Sequence, residues 1–434
     1  MKKLLGWGLL FLCADVSADP CGMVPPVSVG SDTAIARQGP QRTYVYYKDG
    51  IETIALRPGF VGSVEDFGML IPFPTPPALR KIEDDTFAHI EAAIAPPKVR
   101  VRKQKTRLKK ARAKSGRSNV PPPSASNQKE ESVKVLNEEA VGMYQVAVLE
   151  AGSAKALARW MTDNGYRYPA GMDAVTEEYI GQGWCFVAIK AAIGADSGVT
   201  PEPGERSVDP KRAAGSTFNG YVQGMAFRFK VDTPVVPMRL SVFNGPDPRN
   251  VVYFLSDKPS KIEQLSDTLV ANQLTGEKLY KNMTQPLEVE YESNKLRFSL
   301  SDSDKKRLAK MRDYEPEVHI AKTLFASDLL ASQQGTLSLP MEEREKEYLR
   351  VSESFGLRGA QIDVQHGKEL DKERKIVVSQ SLKDVSTMHL SIMDGVFDAK
   401  VLAQQNLAFA EHKIEFPKGR NETLKQYDRT LWVD

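Results

Sequence analysis

Residues 144–190 read YQVAVLEAGSAKALARWMTDNGYRYPAGMDAVTEEYIGQGWCFVAIK and predict a β-α-α-β unit. The apolar run 144–149 is typical of a strand with both faces covered. Ser153 can cap the helix that follows, because its hydroxyl can accept a hydrogen bond from a backbone N–H of the first turn. A second short helix over about 173–180 then leads through a glycine-rich turn into the strand 184–189.

Further strands flank this unit on both sides. The β-rich runs 43–47 and 51–56 are joined by Lys48-Asp49-Gly50, and an Asp-Gly pair between such runs favours a tight hairpin turn. Another apolar run, 67–74, is closed by prolines, which cannot donate to a strand ladder. Three more strands are predicted over 225–230, 236–243 and 250–255. Together these segments predict an α+β fold with a mostly antiparallel sheet.

The last 170 residues predict a mixed α/β C-terminal region. A strand is expected around 287–298, and helices are expected over 303–312 and 340–354. Pro340 suits the first position of the later helix, where a missing N–H costs nothing.

The domain organisation follows from these segments and from one sharp change in composition. Residues 96–132 combine prolines, a basic run and a Ser/Asn/Gln-rich tail, which is typical of a flexible linker or exposed insert. We therefore expect a signal peptide (1–18), a β-rich N-terminal part of the first domain (19–95), the basic linker or insert (96–132), the α+β remainder of that domain (133–260), and the C-terminal mixed region (265–434).

The N-terminus has the pattern of a cleavable export signal. Lys2 and Lys3 precede the apolar run 4–14, and Val16-Ser17-Ala18 supplies a small-residue cleavage site. The apolar run is about eleven residues long, whereas a membrane-spanning helix needs roughly twenty. The sequence therefore predicts a periplasmic or extracellular protein without a transmembrane span.

Removal of the signal would leave two cysteines, Cys21 and Cys185. Because an exported protein meets an oxidising compartment, one disulfide between them is expected. On the loop-entropy model it would contribute roughly 4 to 5 kcal/mol. The alternative is a pair of free thiols.

A basic segment at 98–118 contains eleven Lys or Arg residues and no acidic residue, which leaves the rest of the chain net acidic. It can be a solvated linker, it can dock on the acidic remainder of the protein, or it can bind polyanions through salt-sensitive contacts. No aromatic residue interleaves it, so specific nucleic-acid binding is not expected. The candidate polyanion-binding residues are Arg100, Arg102, Lys103, Lys105, Arg107, Lys109, Lys110 and Arg112.

Several phrases are similar to an exported bacterial family known only as domain of unknown function 2330. The most specific are EEAVGMY (138–144), LARWM (157–161) with NGYRYP (164–169), and GWCFVAIK (183–190), and weaker echoes occur at 20–22, 67–74, 227–229 and 237–241. The resemblance covers about residues 20–255. It implies export and one shared fold, and it implies no activity.

Motifs of known chemistry are missing from the sequence. We find no phosphate-binding glycine loop, dinucleotide fingerprint, zinc-protease helix or calcium loop, and the five histidines lack ligand spacing. No cofactor or metal is therefore expected. Trp160 and Trp184 are interpreted as core residues.

The leading hypothesis is a non-enzymatic binding or interaction module of the cell envelope, with an envelope protein or an anionic cell-surface polymer as its partner. One alternative is a hydrolase or thiol enzyme whose residues meet only in the fold, with Cys185 as the candidate nucleophile. Others are a polyanion-binding protein acting through residues 98–118 and a structural component of the cell surface. A packed core around Cys185 would favour the binder, and an apolar cleft holding it beside a histidine or a carboxylate pair would favour the enzyme.

Overall fold

The computed structural model describes a large part of the chain. The described residues are 36–37, 41–63, 68–82, 90, 93–94, 98–101, 133–141, 144–191, 217–221, 224–244, 249–265, 270–284, 288–291, 297–299, 324–344, 372, 376, 384–414 and 430–433.

The strands and helices are numbered in chain order. The strands are β1 (Ala36–Arg37), β2 (Gln41–Lys48), β3 (Ile51–Leu56), β4 (Gly59–Ser63), β5 (Gly68–Phe73), β6 (Ala78–Ile82), β7 (Lys98–Val101), β8 (Lys134–Val141), β9 (Tyr144–Glu150), β10 (Cys185–Ala191), β11 (Thr217–Tyr221), β12 (Gly224–Lys230), β13 (Val235–Val236), β14 (Arg249–Ser256), β15 (Ser260–Ile262), β16 (Val270–Thr275), β17 (Glu288–Tyr291), β18 (Arg297–Ser299), β19 (His389–Val396), β20 (Leu407–Glu411) and β21 (Thr430–Val433). The helices are α1 (Ala154–Asp163), α2 (Met172–Gly181), α3 (Gly276–Thr284), α4 (Leu324–Gln334) and α5 (Ala399–Gln404), with a 3-10 helix at Arg239–Asn244 and further helical residues at 340–344.

Two large sheets form the centre of the molecule. One has seven strands in the order β16-β19-β14-β2-β3-β12-β6, and the other has four in the order β5-β10-β9-β8. All pairs within them are antiparallel except β14 with β2. The α+β fold with mostly antiparallel sheets is thus confirmed.

The core is divided into three apolar layers. Side chains of both sheets interdigitate in the largest, which includes Phe73, Val187, Phe227 and Phe254. Helices α1 and α2 cover the other face of the four-stranded sheet through a second layer. Helices α3 and α4 cover the other face of the seven-stranded sheet through a third. The order of layers is therefore helix, sheet, sheet, helix.

The β-α-α-β unit folds as its sequence predicts. Strands β9 and β10 pair antiparallel, and α1 and α2 connect them. Ser153 caps α1, since its Oγ accepts a hydrogen bond from the N–H of Ala156 at 3.1 Å. Gly165 follows the helix with φ of +83°, a left-handed conformation that suits glycine.

The predicted hairpin is the pair β2 and β3. Asp49 and Gly50 form its turn with φ of +51° and +75°. Two successive positive φ angles match the right-handed twist of the flanking strands, which explains why Asp-Gly stands there.

Two strand predictions need correction at prolines. The strand predicted over 236–243 is only the two-residue β13, and the chain then forms the 3-10 helix. Pro237 lacks the N–H needed to extend the ladder, so the apolar residues after it bury in a tighter turn. In contrast, Pro72 lies within β5 opposite Phe186. It fits because β5 is the last strand of its sheet in the described part of the chain, so no ladder bond is lost.

The region predicted as separate after residue 265 contributes strands to the central sheet. β16 and β19 extend it beyond β14, and β19 pairs with β14 along its whole length. The boundary expected at 260–265 is therefore crossed by one continuous sheet.

The predicted linker also begins with ordered structure. Residues 98–101 form β7, which pairs in parallel with β17 and β21. The sequence KVRV alternates β-branched and basic residues, and this period of two suits a strand despite the charge. Residues 102–132 and the predicted helix at 303–312 lie outside the described residues, while the later helix does begin at Pro340.

Gly276 begins helix α3 in a crowded position. Its N–H donates to the carbonyl oxygen of Met388 at 2.7 Å. A Cβ at Gly276 would lie 1.9 Å from the carbonyl oxygen of Val385 and 2.6 Å from that of Met388. Only glycine lets the two backbone segments approach this closely.

Candidate functional site

Four charged side chains meet on the helical face of the seven-stranded sheet. Arg80 lies on β6, Arg228 on β12, Asp328 on α4, and Glu342 on the helical residues 340–344. We call these four residues the arginine–carboxylate cluster. Two guanidinium groups face two carboxylates, so the cluster is charge-balanced.

The alternation of β12 places Arg228 at this site. Phe227 and Phe229 point into the layer between the sheets, so Arg228 points to the opposite face. Its register partner on β3 is Thr53, which lies on the same face. The side chain of Arg228 is only 3 % exposed, and burying a charge to this extent requires paired acceptors.

Asp328 is the anchor of the cluster and is fully buried. Its carboxylate accepts hydrogen bonds from Nε and Nη2 of Arg228 at 3.0 and 2.7 Å. Nη2 of Arg80 lies 3.1 Å from both of its oxygens, and Oγ1 of Thr53 donates at 2.9 Å. Helix α4 is thereby fixed to three neighbouring strands of the sheet.

Glu342 completes the cluster from a separate segment. Its carboxylate accepts from Nη1 and Nη2 of Arg228 at 2.9 and 3.2 Å, and from Nη1 of Arg80 at 3.2 Å. It also accepts the N–H of Leu339 at 3.1 Å, which is the reach-back of a capping box. The side chains of Glu342 and Arg80 are 14 % and 22 % exposed, so this side of the cluster reaches solvent.

The electrostatics favour the charged forms of Glu342 and Arg228. Burial raises the pKa of Glu342, but the Arg80 and Arg228 charges outweigh burial and leave that pKa below its ordinary value. Burial lowers the pKa of Arg228, and the Asp328 and Glu342 charges more than compensate and raise it. Guanidinium groups so held bind anions and cannot serve as general acids or bases near neutral pH.

A small cleft opens beside the cluster. Arg80 and Arg228 line it from the sheet, and Leu337, Ser338 and Glu342 line it from the opposite segment. Arg228 also donates from Nη1 to the carbonyl oxygen of Leu337 at 2.7 Å. The cleft therefore ends on guanidinium groups that the segment 337–342 covers.

A second buried acid lies apart from the cluster, in the layer between the sheets. Glu52 on β3 is fully buried, and its Oε2 accepts the N–H of Val235 at 3.0 Å. Its Oε1 has no hydrogen-bond partner among the described residues. Burial raises the pKa of Glu52 well above its ordinary value, which favours the neutral form of this carboxyl in the fold.

Cys185, the candidate nucleophile, lies in the packed layer between the sheets. It is 4 % exposed, and its Sγ donates to the carbonyl oxygen of Phe73 at 3.5 Å. Burial raises the pKa of its thiol to about 12, whereas a nucleophilic cysteine needs a lowered pKa. The described residues contain no disulfide, and Cys185 is a free thiol there. Cys21 lies outside them, so its pairing with Cys185 stays a prediction.

The other residues singled out in the sequence lie in different parts of the molecule. Arg100 is a register partner of Glu290 on β17 and of Trp432 on β21, and the remaining seven candidates of the basic segment lie outside the described residues. Trp160 and Trp184, which the sequence suggested as core residues, are only partly buried and pack against the layer beneath α1 and α2.

Two negative findings apply to the described part of the chain. No group of three or more His, Cys, Asp or Glu side chains there could hold a metal ion. None of its helices is long and apolar enough to cross a membrane.

The sequence reasoning missed the arginine–carboxylate cluster. A usable signal was present, because Arg228 interrupts an apolar strand between two phenylalanines, and a buried strand tolerates a charge only opposite a partner. The identity of that partner was not readable, since Asp328 lies 100 positions away.

Comparison with known protein families gives a match over most of the chain. Residues 16–329 match a family described as an uncharacterized protein conserved in bacteria. The chain belongs to this family, domain of unknown function 2330. The match extends beyond the resemblance at 20–255 and includes the first half of α4 with Asp328, while the rest of α4 and Glu342 lie outside it.

Similarity to individual proteins adds little. No curated protein matches the chain. Among solved structures, the crystal structure of baculovirus P35 is similar with a TM-score of 0.26 and 10 % sequence identity, over 56 % of this chain and 76 % of that chain. So low a score supports no inference about fold or function.

Proposed function

We propose that this protein is a non-enzymatic binding module exported to the cell envelope. The observation that carries the proposal is the chemistry of the arginine–carboxylate cluster at its cleft. Paired guanidinium groups recognise anions by charge and by fork-shaped hydrogen bonding, and they do not exchange protons near neutral pH. A site of this kind binds and orients, and it does not supply a nucleophile or a general base.

The surroundings of Cys185 support binding over thiol chemistry. The thiol faces a packed layer, and its raised pKa opposes formation of the thiolate that nucleophilic catalysis needs. By the criterion set out from the sequence, a packed core at this position favours the binder.

Export is supported by the charge, apolar run and small-residue site of residues 1–18. It is tested by the intact mass of protein purified from envelope and periplasmic fractions. Loss of residues 1–18 is expected, and a full-length chain retained in the cytoplasm would refute export.

Alkylation of the same sample tests the alternative that Cys185 is a catalytic nucleophile. Cys185 is expected to resist a small alkylating reagent in the native protein and to react once the protein is unfolded in reductant. Alkylation only after reduction would in addition support the pairing of Cys185 with Cys21. Rapid alkylation of Cys185 in the native protein would instead favour a thiol enzyme.

A further inference from the structure

Residues 335–344 carry Glu342 to the cluster, and we call this segment the strap. It differs from the elements that carry the other three residues of the cluster. It enters through Gly335, which has φ of +66°, and it continues without regular structure until helical residues begin at Pro340. Arg228 is supplied instead by β12, Arg80 by β6 beside it at the end of the sheet order, and Asp328 by α4. Leu339 is the one buried residue of the strap, whereas β12 buries six of its seven residues, so moving the strap costs less packing than moving β12.

The two carboxylates of the cluster also differ in their positions. Asp328 is fully buried and neutralises one of the two guanidinium groups from beneath. The second positive charge is met by Glu342, which approaches from the side of the cleft. Without Glu342 the site would hold two guanidinium groups and one carboxylate, which is an incomplete pairing in a buried setting.

The donor geometry around Glu342 is that of a carboxylate receptor. Three N–H groups from Arg80 and Arg228 lie within 3.2 Å of its two oxygens. Planar guanidinium forks of this kind match a carboxylate in two-point contact. They would serve any carboxylate that entered by the cleft equally well.

We infer that Arg80 and Arg228 form a carboxylate-binding site that the protein's own Glu342 occupies, with the strap acting as a displaceable cover. The ligand class is a carboxylate carried by a larger molecule, which replaces Glu342 when the strap lifts. This inference deepens the proposed binding function and rests on it, since it names the site and the chemistry of the ligand.

The first experiment empties the site with Glu342→Ala and refills it with acetate. In the variant, acetate is expected to raise the thermal midpoint saturably, by roughly 1.5 °C at about ten times its dissociation constant. Chloride at equal ionic strength should not do so. Asp163→Ala, which removes the same charge from an exposed position at the end of α1, away from the cleft, should show no response to acetate. Equal effects of the two salts, or of acetate on both variants, would overturn the inference.

The second experiment uses the unaltered protein and does not depend on the variant folding. Hydrogen exchange of the amides of Leu339 and of residues 341–344 is expected to accelerate as carboxylate is added, while the amides of β12 stay protected. An unchanged exchange rate in the strap would show that Glu342 cannot be displaced. Neither readout depends on export or on a natural partner, so failure here is separable from failure of the proposed function.

The source of the carboxylate is distinguished by two further ligands at equal concentration. One is a short blocked peptide with a single glutamate, and the other is glucuronate. A larger shift of the Glu342→Ala midpoint with the peptide assigns the site to acidic protein segments, and a larger shift with glucuronate assigns it to acidic sugars. The absence of a shift with either would overturn the assignment to a carried carboxylate.

Discussion

Replacing Asp328 is expected to be among the most damaging single changes in the described part of the chain. Asp328→Asn removes the one carboxylate that both arginines share in full burial. Four contacts from Arg80 and Arg228 and one from Thr53 lose their charged acceptor. Removing one partner of a buried ion pair costs about 3 to 5 kcal/mol, because the remaining charge stays buried and uncompensated.

That loss is large compared with the total free energy of unfolding. Domains of ordinary stability unfold with a free energy of about 5 to 15 kcal/mol, so the variant should lose roughly a fifth or more of its free energy of unfolding. The assay is urea unfolding followed by circular dichroism, with Asp163→Asn as the control. Asp163 is the exposed last residue of α1, and its replacement should change the free energy of unfolding by less than about 0.5 kcal/mol.

The charge count makes a sharper test possible. Asp328→Asn leaves two cations against one anion, whereas Arg228→Met together with Asp328→Asn leaves Arg80 paired with Glu342. The double variant should therefore be less destabilised than the sum of the two single variants by at least about 1 kcal/mol. Additive losses would refute the reasoning, since they would mean that the two side chains stabilise the fold independently.

Two further predictions concern other buried positions. Because the pKa of Glu52 is raised in the fold, the unfolded chain loses this proton at a lower pH than the folded protein does. Stability should therefore fall as pH rises from the ordinary pKa of 4.5 to the raised pKa of the fold, by up to about 1.4 kcal/mol per unit. Glu52→Gln carries no titratable group at this position. Its free energy of unfolding, measured in urea at a series of pH values, should therefore rise relative to that of the unaltered protein as pH increases. A difference between the two proteins that does not change with pH would contradict a raised pKa. Gly276→Ala should lose about 3 kcal/mol or more, because the new methyl group meets the backbone carbonyls of Val385 and Met388. Gly152→Ala, where the added methyl meets nothing within 4 Å, is its control, and equal unfolding midpoints for the two variants would refute the argument.

Local signals were enough to predict the elements that local chemistry governs. The Asp49-Gly50 turn and the Ser153 cap are decided by residues within a few positions of each other, and both are confirmed. The strand predicted over 236–243 was wrong because the apolar pattern outweighed Pro237, which withholds one hydrogen-bond donor.

Long-range pairing was beyond the same reasoning. The partner of β14 on one side is β2, about 200 positions earlier, and on the other side β19, about 140 positions later, and no periodicity encodes such a choice. The candidate site shares this limit. The position of Arg228 in an apolar strand predicts a buried acidic partner, but only the fold shows that Asp328 and Glu342 are its partners.

The position of β19 has a consequence for how the chain acquires its structure. β14 is complete at residue 256, but the strand that covers its edge ends at residue 396. At about 5 to 20 residues per second, ribosomes need roughly 7 to 28 s for the intervening 140 residues. During that interval an apolar edge eight residues long has no native partner on that side. Until β19 has been made, that edge of β14 is open to pairing with other strands, so a segment from late in the chain closes the sheet on this side.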